Sequence, residues 1–143
     1  MSRIALEYGR AIIAGALAKG VELGLKPLTV AVLDAGGHLI ALERQDGAST
    51  MRPQIAIGKA STALALGVSS RAVGEMAGER STFVTALSSL APAGIVPAAG
   101  GVLVVDSDGD TIGAVGITGD TSDNDEACAL AGIAASGLAA KQA

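Results

Sequence analysis

The chain has 143 residues, half of them hydrophobic but with one Phe, one Tyr and no Trp, and a formal net charge of −4. That length suits one domain with one core, and an apolar volume drawn from Ala, Val, Leu and Ile beside 20 glycines points to close backbone packing rather than large anchors. Residues 1–80 hold nine Lys/Arg against seven Asp/Glu, and residues 81–143 one Lys against seven acids; without a basic patch or interleaved aromatics, nucleic-acid binding lacks both its electrostatic and its stacking parts.

From residue 3 to about 24, Ile4, Tyr8, Ala11, Ile12, Gly15 and Ala16 recur at helical spacing, with Arg3, Glu7, Arg10 and Lys19 between them. Gly24 closes this helix and Pro27 prevents its resumption. Leu28 to Leu33 is a β-rich run, Asp34-Ala35-Gly36-Gly37 a turn, and His38 to Arg44 a second run, which together spell a hairpin. Pro53 fits the first turn of a second helix that runs to about Leu66 and stops at Gly67, and Ser69 or Ser70 caps a third helix through Met76. Residues 80–99, punctuated by Gly94 and Pro97, predict a loop or a short irregular helix. Gly101 to Asp106, the Ser107–Asp110 turn and Thr111 to Thr118 form a second hairpin, after which Thr121 or Ser122 caps a final helix reaching about Lys141. Hairpin-linked strands that are apolar on both faces imply an antiparallel sheet covered by helices on more than one side, an α/β domain of the α+β type over residues 1–143.

Cys128 is the single cysteine, which excludes an internal disulfide and any cysteine-based zinc site and suits a reduced compartment. Charges at Glu7, Arg10, Lys19 and Glu22 break any signal-peptide core. Apart from small Ala/Gly-rich stretches, no run approaches the roughly 18 uninterrupted apolar residues of a membrane span. The expectation is a cytoplasmic protein with no membrane partner.

Several blocks carry a family likeness. The segments Val32–Leu39, Arg44–Ala48 and Ala56–Ala63, then Gly100–Val102, Ile112–Gly119, Asp123–Glu126 and Ala131-Gly132, resemble in the same order the GlcG/HbpS family, whose haem-binding relatives include the C-terminal domain of PduO-type proteins. The resemblance implies a profilin-like three-layer α/β/α fold with an antiparallel sheet flanked by helices. It also implies a homo-oligomer, a dimer or a larger assembly such as an octamer, and a haem cofactor or another small-molecule ligand.

Among candidate site residues, Lys59 is the only charged side chain between Arg52 and Arg71, so it must either snorkel to water, pair with a carboxylate, or meet an anionic ligand. Asp125 and Glu126 are the candidate carboxylates. Arg52 stands at a helix start, where a cation does not help the helix and a bound carboxylate would explain it. Seven residues separate Arg52 from Lys59, about two turns, which places both on one stripe and predicts a shared ligand pocket with Asp46, Gly119 and Asp125. Asp46 beside Gly47 also suits a plain turn role, and Asp123, Asp125 and Glu126 suit the dipole of the last helix. Gly113, Gly116 and Gly119 thin the preceding strand enough for something to approach its backbone.

His38 is the only histidine; if haem binds, the available axial ligands are His38, Tyr8, Cys128, Met51 and Met76, and no C-x-x-C-H attachment motif exists. P-loop, Rossmann and Ser-His-Asp patterns are absent, which argues against the common nucleotide cofactors. Two functions follow: an oligomeric binder of haem or a small organic acid, or a lyase, isomerase or hydrolase of a carboxylated metabolite. In the second, Arg52 holds the carboxylate, Lys59 acts as base or electrostatic stabiliser and Asp125 or Glu126 moves a proton. A purely structural oligomer is the third alternative. The run Ala127–Ala140 carries no charge and predicts an apolar subunit interface on the last helix.

Overall fold

The computed structural model describes residues 3–141. Its elements are α1 (Leu6–Leu23), β1 (Thr29–Asp34), β2 (Leu39–Arg44), α2 (Arg52–Leu66), α3 (Ser70–Glu79), α4 (Ser81–Leu87), β3 (Gly101–Val105), β4 (Thr111–Thr118), α5 (Ser122–Ala135) and β5 (Ala139–Ala140). The strands form one sheet in the order β2-β1-β4-β3-β5, with every pairing antiparallel.

Alternation along the strands makes three layers. Val30, Val32, Val102, Val104, Val115 and Ile117 point to one face, where they pack against Ile12, Ile13 and Ala16 of α1 and Cys128, Ala129 and Ile133 of α5. The alternate residues Leu33, Leu103 and Ala114 point to the other, against Ala60 and Ala63 of α2. The α/β/α sandwich with an antiparallel sheet is therefore what the chain adopts. Among the described residues no helix is long and apolar enough to cross a membrane.

The backbone approach that the glycine content predicted is sharpest under α2. A Cβ at Gly116 would overlap the carbonyl oxygen of Ala56, and one at Gly101 that of Lys59, so these two strand positions admit no side chain and let the helix axis descend onto the sheet.

Two element bounds need correction. The last helix does not reach Lys141: it ends at Ala135, Gly137 turns the chain at φ 84°, and Ala139–Ala140 add to the edge of β3. An uncharged run rich in small residues serves helix and edge strand equally, so nothing in composition marks the break. Of the loop and short helix expected after residue 80, the segment opens with the seven-residue helix α4. The third helix continues past Met76 to Glu79. On α5, Cys128, Ala129, Gly132 and Ile133 are buried against α1 and the sheet, while Leu130, Ala134 and Ala135 stay exposed.

Candidate functional site

Two groups of candidate residues lie at opposite ends of the sheet. Thr29 pairs with Thr118 at one end of β1, and Asp34 with Gly113 at the other. Five steps along the strand, about 17 Å, separate them.

At the Thr118 end, α2 presents Lys59 to the sheet. Its side chain passes over Gly100, where a Cβ would collide with it, and its ammonium donates to the Ile117 carbonyl at 3.0 Å and to Asp125 Oδ2 at 3.2 Å. Lys59 is 4% exposed and Asp125 1%. Asp125 sits in the first turn of α5, below the Thr121 cap, and its other oxygen accepts the Asp120 N–H at 3.0 Å. The pair ties α2 on one face of the sheet to α5 on the other. Burial pushes the Lys59 pKa down against the pull of Asp125, with the charge of Arg52 adding to the depression. Burial also pushes Asp125 up, opposed by the Asp120 N–H and by Lys59.

Arg52 enters the same region from the start of α2. Its Nη1 donates to Thr118 Oγ1 at 2.7 Å and its Nε to Ser49 Oγ at 3.2 Å. Gly119 lies next along the chain at φ 142°, and a Cβ there would overlap the Pro27 carbonyl, so this bend requires glycine. Arg52, Lys59, Gly119 and Asp125 thus share one end of the sheet, with Lys59 and Asp125 facing each other. Asp46 follows two residues after Arg44, the register partner of Thr29, so it lies at this same end; it is exposed and lines an open groove with Leu25, Pro27 and Arg44. Glu126 turns to Arg71, whose Nε donates to both of its carboxylate oxygens at 3.0 and 3.1 Å while Nη2 binds Asp123. Those two carboxylates hold the Arg71 pKa above its ordinary value.

At the other end, His38 follows the β1–β2 turn with its side chain 81% exposed, and its Nδ1 lies 3.2 Å from Asp34 Oδ1. That same oxygen accepts the backbone N–H of Gly36 at 2.9 Å and of His38 at 3.0 Å. The His38 N–H above all holds the Asp34 carboxyl below its usual range. Gly36, over which the imidazole lies, also lines a cleft of about 310 Å³ whose walls include Ala35, Ile57, Ser61 and Leu64. Of the other candidate iron ligands, Cys128 is wholly buried with its thiol pKa raised by burial, Tyr8 packs against the main core, Met76 is half-buried, and Met51 is 65% exposed at the Arg52 end.

Sequence reasoning missed Arg71, Asp34, Thr29, Thr118 and Asp120. Asp34 was legible as a turn former, and its i, i+4 spacing to His38 was the available signal. Arg71 and Asp120 find their partners through the fold. The acids Asp106, Asp108 and Asp110 cluster in the β3–β4 turn, where Asp106 Oδ1 accepts the N–H groups of Asp108 and Asp110.

The family model described as haem degrading protein HbpS-like matches residues 4–134. A search of curated proteins finds no match. Among solved structures, a PduOC:haem complex is 24% identical, covers 98% of this chain and 99% of that chain, and superposes with a TM-score of 0.86. HbpS is 26% identical, with 94% and 90% covered and a TM-score of 0.80. The ORFY protein of Klebsiella pneumoniae is 23% identical, with 96% and 92% covered and a TM-score of 0.85. The order of sequence blocks, the three-layer sheet and a family match that runs through both hairpins and the buried Lys59–Asp125 pair agree, and this chain belongs to the HbpS-like family.

Proposed function

We propose that this protein binds haem as a cytoplasmic homo-oligomer, with His38 as the nitrogen ligand to iron. The observation that carries the reading is the Asp34–His38 pair. A carboxylate fixed by two backbone N–H groups lies 3.2 Å from Nδ1, which favours the tautomer with its proton on Nδ1 and leaves the Nε2 lone pair free to ligate. The small and aliphatic cleft beside it suits the face of a porphyrin, so the residues present fit the group. Bound haem would supply an iron centre open to axial ligation and redox change. The chain's part is to hold that iron through His38, to orient the imidazole through Asp34 and to keep water from the ring with Ile57 and Leu64. Family membership, and the haem held by PduOC on the same fold, support the assignment. Leu39, adjacent to His38, is 51% exposed, so a second copy docking here would cover apolar surface next to the haem.

Haemin titration followed at the Soret band tests the reading. His38→Ala loses at least tenfold in affinity and shifts the band, Asp34→Asn weakens binding about 10-fold or more through the imidazole, and Met51→Ala leaves it unchanged. An unaltered Soret spectrum and affinity in His38→Ala refutes the assignment.

A small organic acid is the second ligand, favoured by the Arg52 guanidinium, whose two hydrogen bonds go to neutral hydroxyls. The enzymatic alternative requires Lys59 and Glu126 to leave Asp125 and Arg71 before either can move a proton.

A further inference from the structure

We infer that the Arg52 end of the sheet is a binding site for a small monocarboxylate, in which the hydroxyls of Thr29 and Thr118 complete what the Arg52 guanidinium begins. This rests on the organic-acid reading of Arg52 and goes past it in assigning the threonines, the charge of the ligand and the seat beneath α2.

Thr29 and Thr118 are direct register partners on adjacent antiparallel strands. Strand alternation puts Thr29 on the face of Leu33, which packs on Ala60 and Ala63, and Thr118 on the face of Gly116, which meets Ala56. Both hydroxyls therefore lie under the first turns of α2, with Cβ atoms about 5 Å apart as in any directly opposed pair. Thr118 Oγ1 accepts from Arg52 at 2.7 Å. Thr29 is 0% exposed, and its hydroxyl has no hydrogen-bond partner among the described residues. A buried hydroxyl without a partner is costly and rare in folded chains, and one beside a cation marks a place where an acceptor belongs.

Arg52 supplies the charge. A guanidinium has five N–H donors, and here Ser49 and Thr118 engage only one on Nε and one on Nη1. Those that remain are one on Nη1 and two on Nη2, enough for charge-assisted donation to a carboxylate oxygen. Among the described residues, Lys59 has Asp125 as its counter-charge, whereas Arg52 has no carboxylate within ion-pair distance. One positive charge is left over, which a single carboxylate neutralises and a phosphate dianion overshoots. The start of α2 adds to the attraction: the helix has no acid in its first turn and no side chain capping its N–H groups. One carboxylate oxygen then takes the guanidinium and the other the Thr29 hydroxyl.

Calorimetric and melting-temperature titrations with acetate, lactate and succinate, and with inorganic phosphate as the control, decide the matter. Wild-type protein binds a monocarboxylate saturably and phosphate at least tenfold more weakly. Arg52→Gln and Thr29→Val each lose at least tenfold in carboxylate affinity, although Thr29→Val, relieved of its orphan hydroxyl, melts no lower than wild type without ligand. If Thr29→Val binds as wild type while Arg52→Gln does not, the assignment of Thr29 falls and the organic-acid reading of Arg52 stands. If no carboxylate binds, both fall. Phosphate binding as tightly as acetate overturns the charge argument. Dissociation of an oligomer in Arg52→Gln, with no free carboxylate bound by wild type, overturns the free-ligand site in favour of an acidic side chain from another copy.

Discussion

Replacing Lys59 by Met keeps the length and apolar stem of the side chain and removes only the ammonium. The Asp125 carboxylate, 1% exposed, then loses its charged partner and keeps the single Asp120 N–H. Stranding one member of a buried pair costs about 3–5 kcal/mol, which for a domain of this size lowers the melting temperature by on the order of 10 °C or more. Adding Asp125→Leu removes the stranded charge as well, and the double variant returns to within about 1 kcal/mol of wild type or above it. The pH dependence has a definite sign. Burial holds the folded pKa of Asp125 above the ordinary 3.8, so the folded chain binds its proton more readily than the unfolded one, and stability from this group rises as pH falls from that raised value toward 3.8. Lys59 opposes the upward shift, so Lys59→Met widens this window and the variant recovers part of its deficit in acid. Urea unfolding of wild type, single and double variants from pH 7 to pH 4 measures all of this. A deficit under about 1 kcal/mol at pH 7, or one that stays constant with pH, refutes the buried-pair argument.

Other perturbations probe separate parts of the fold. Gly116→Ala drives a methyl into the Ala56 carbonyl, which backbone cannot yield cheaply, and lowers stability by about 3 kcal/mol or more in chemical denaturation. Cys128, buried with its thiol pKa raised by burial, resists thiol reagents in the native protein and reacts at the rate of global unfolding; fast native labelling would contradict its place in the core. Arg71→Ala removes a largely surface network with Asp123 and Glu126 and costs no more than about 1 kcal/mol per pair, an effect that shrinks in high salt. Val21, Leu39, Met51 and Leu90 are each more than half exposed, and sedimentation at micromolar concentration should show an oligomer; a stable monomer would remove the assembly from the proposal.

The parts of the fold that periodicity and turn chemistry control were legible in the sequence. Both hairpins, the Gly24 and Gly67 helix stops and the Thr121 cap occur where their residue types demand. Boundaries failed where composition is uniform. From Ala127 to Ala140 small and aliphatic residues suit helix, core and edge strand alike, so the break at Gly137 and the addition of β5 to β3 depend on where the sheet has a free edge, a property of the assembled chain. For the same reason the uncharged surface of α5 divides between contact with α1 and exposure at Leu130, Ala134 and Ala135 in a way composition does not mark.

The candidate site divides along the same line, between what a residue requires and what the fold supplies. A lysine isolated among apolar neighbours must find an anion or water, and that requirement is local, so Lys59 and the alternatives Asp125 and Glu126 could be named from sequence. Choosing between the two acids needs geometry. Asp125 and Glu126 are adjacent on α5, and a helix turns about 100° per residue, so only one can face the sheet end where Lys59 arrives. The Thr121 cap fixes that phase: Asp125 falls inward, and Glu126 is carried round to Arg71. Arg71 has no sequence mark because its partner Glu126 is 55 residues away along the chain, and only the fold brings the start of α3 within side-chain reach of the start of α5. Thr29 is harder still, since a threonine in a strand reads as an ordinary β-former until its register partner and the helix above it are known. What makes it informative is a requirement left unmet at full burial, on the register partner of the threonine that Arg52 engages, with no carboxylate on Arg52 among the described residues. Two such deficits of complementary kind, meeting at one end of the sheet, are what a bound carboxylate would remove together.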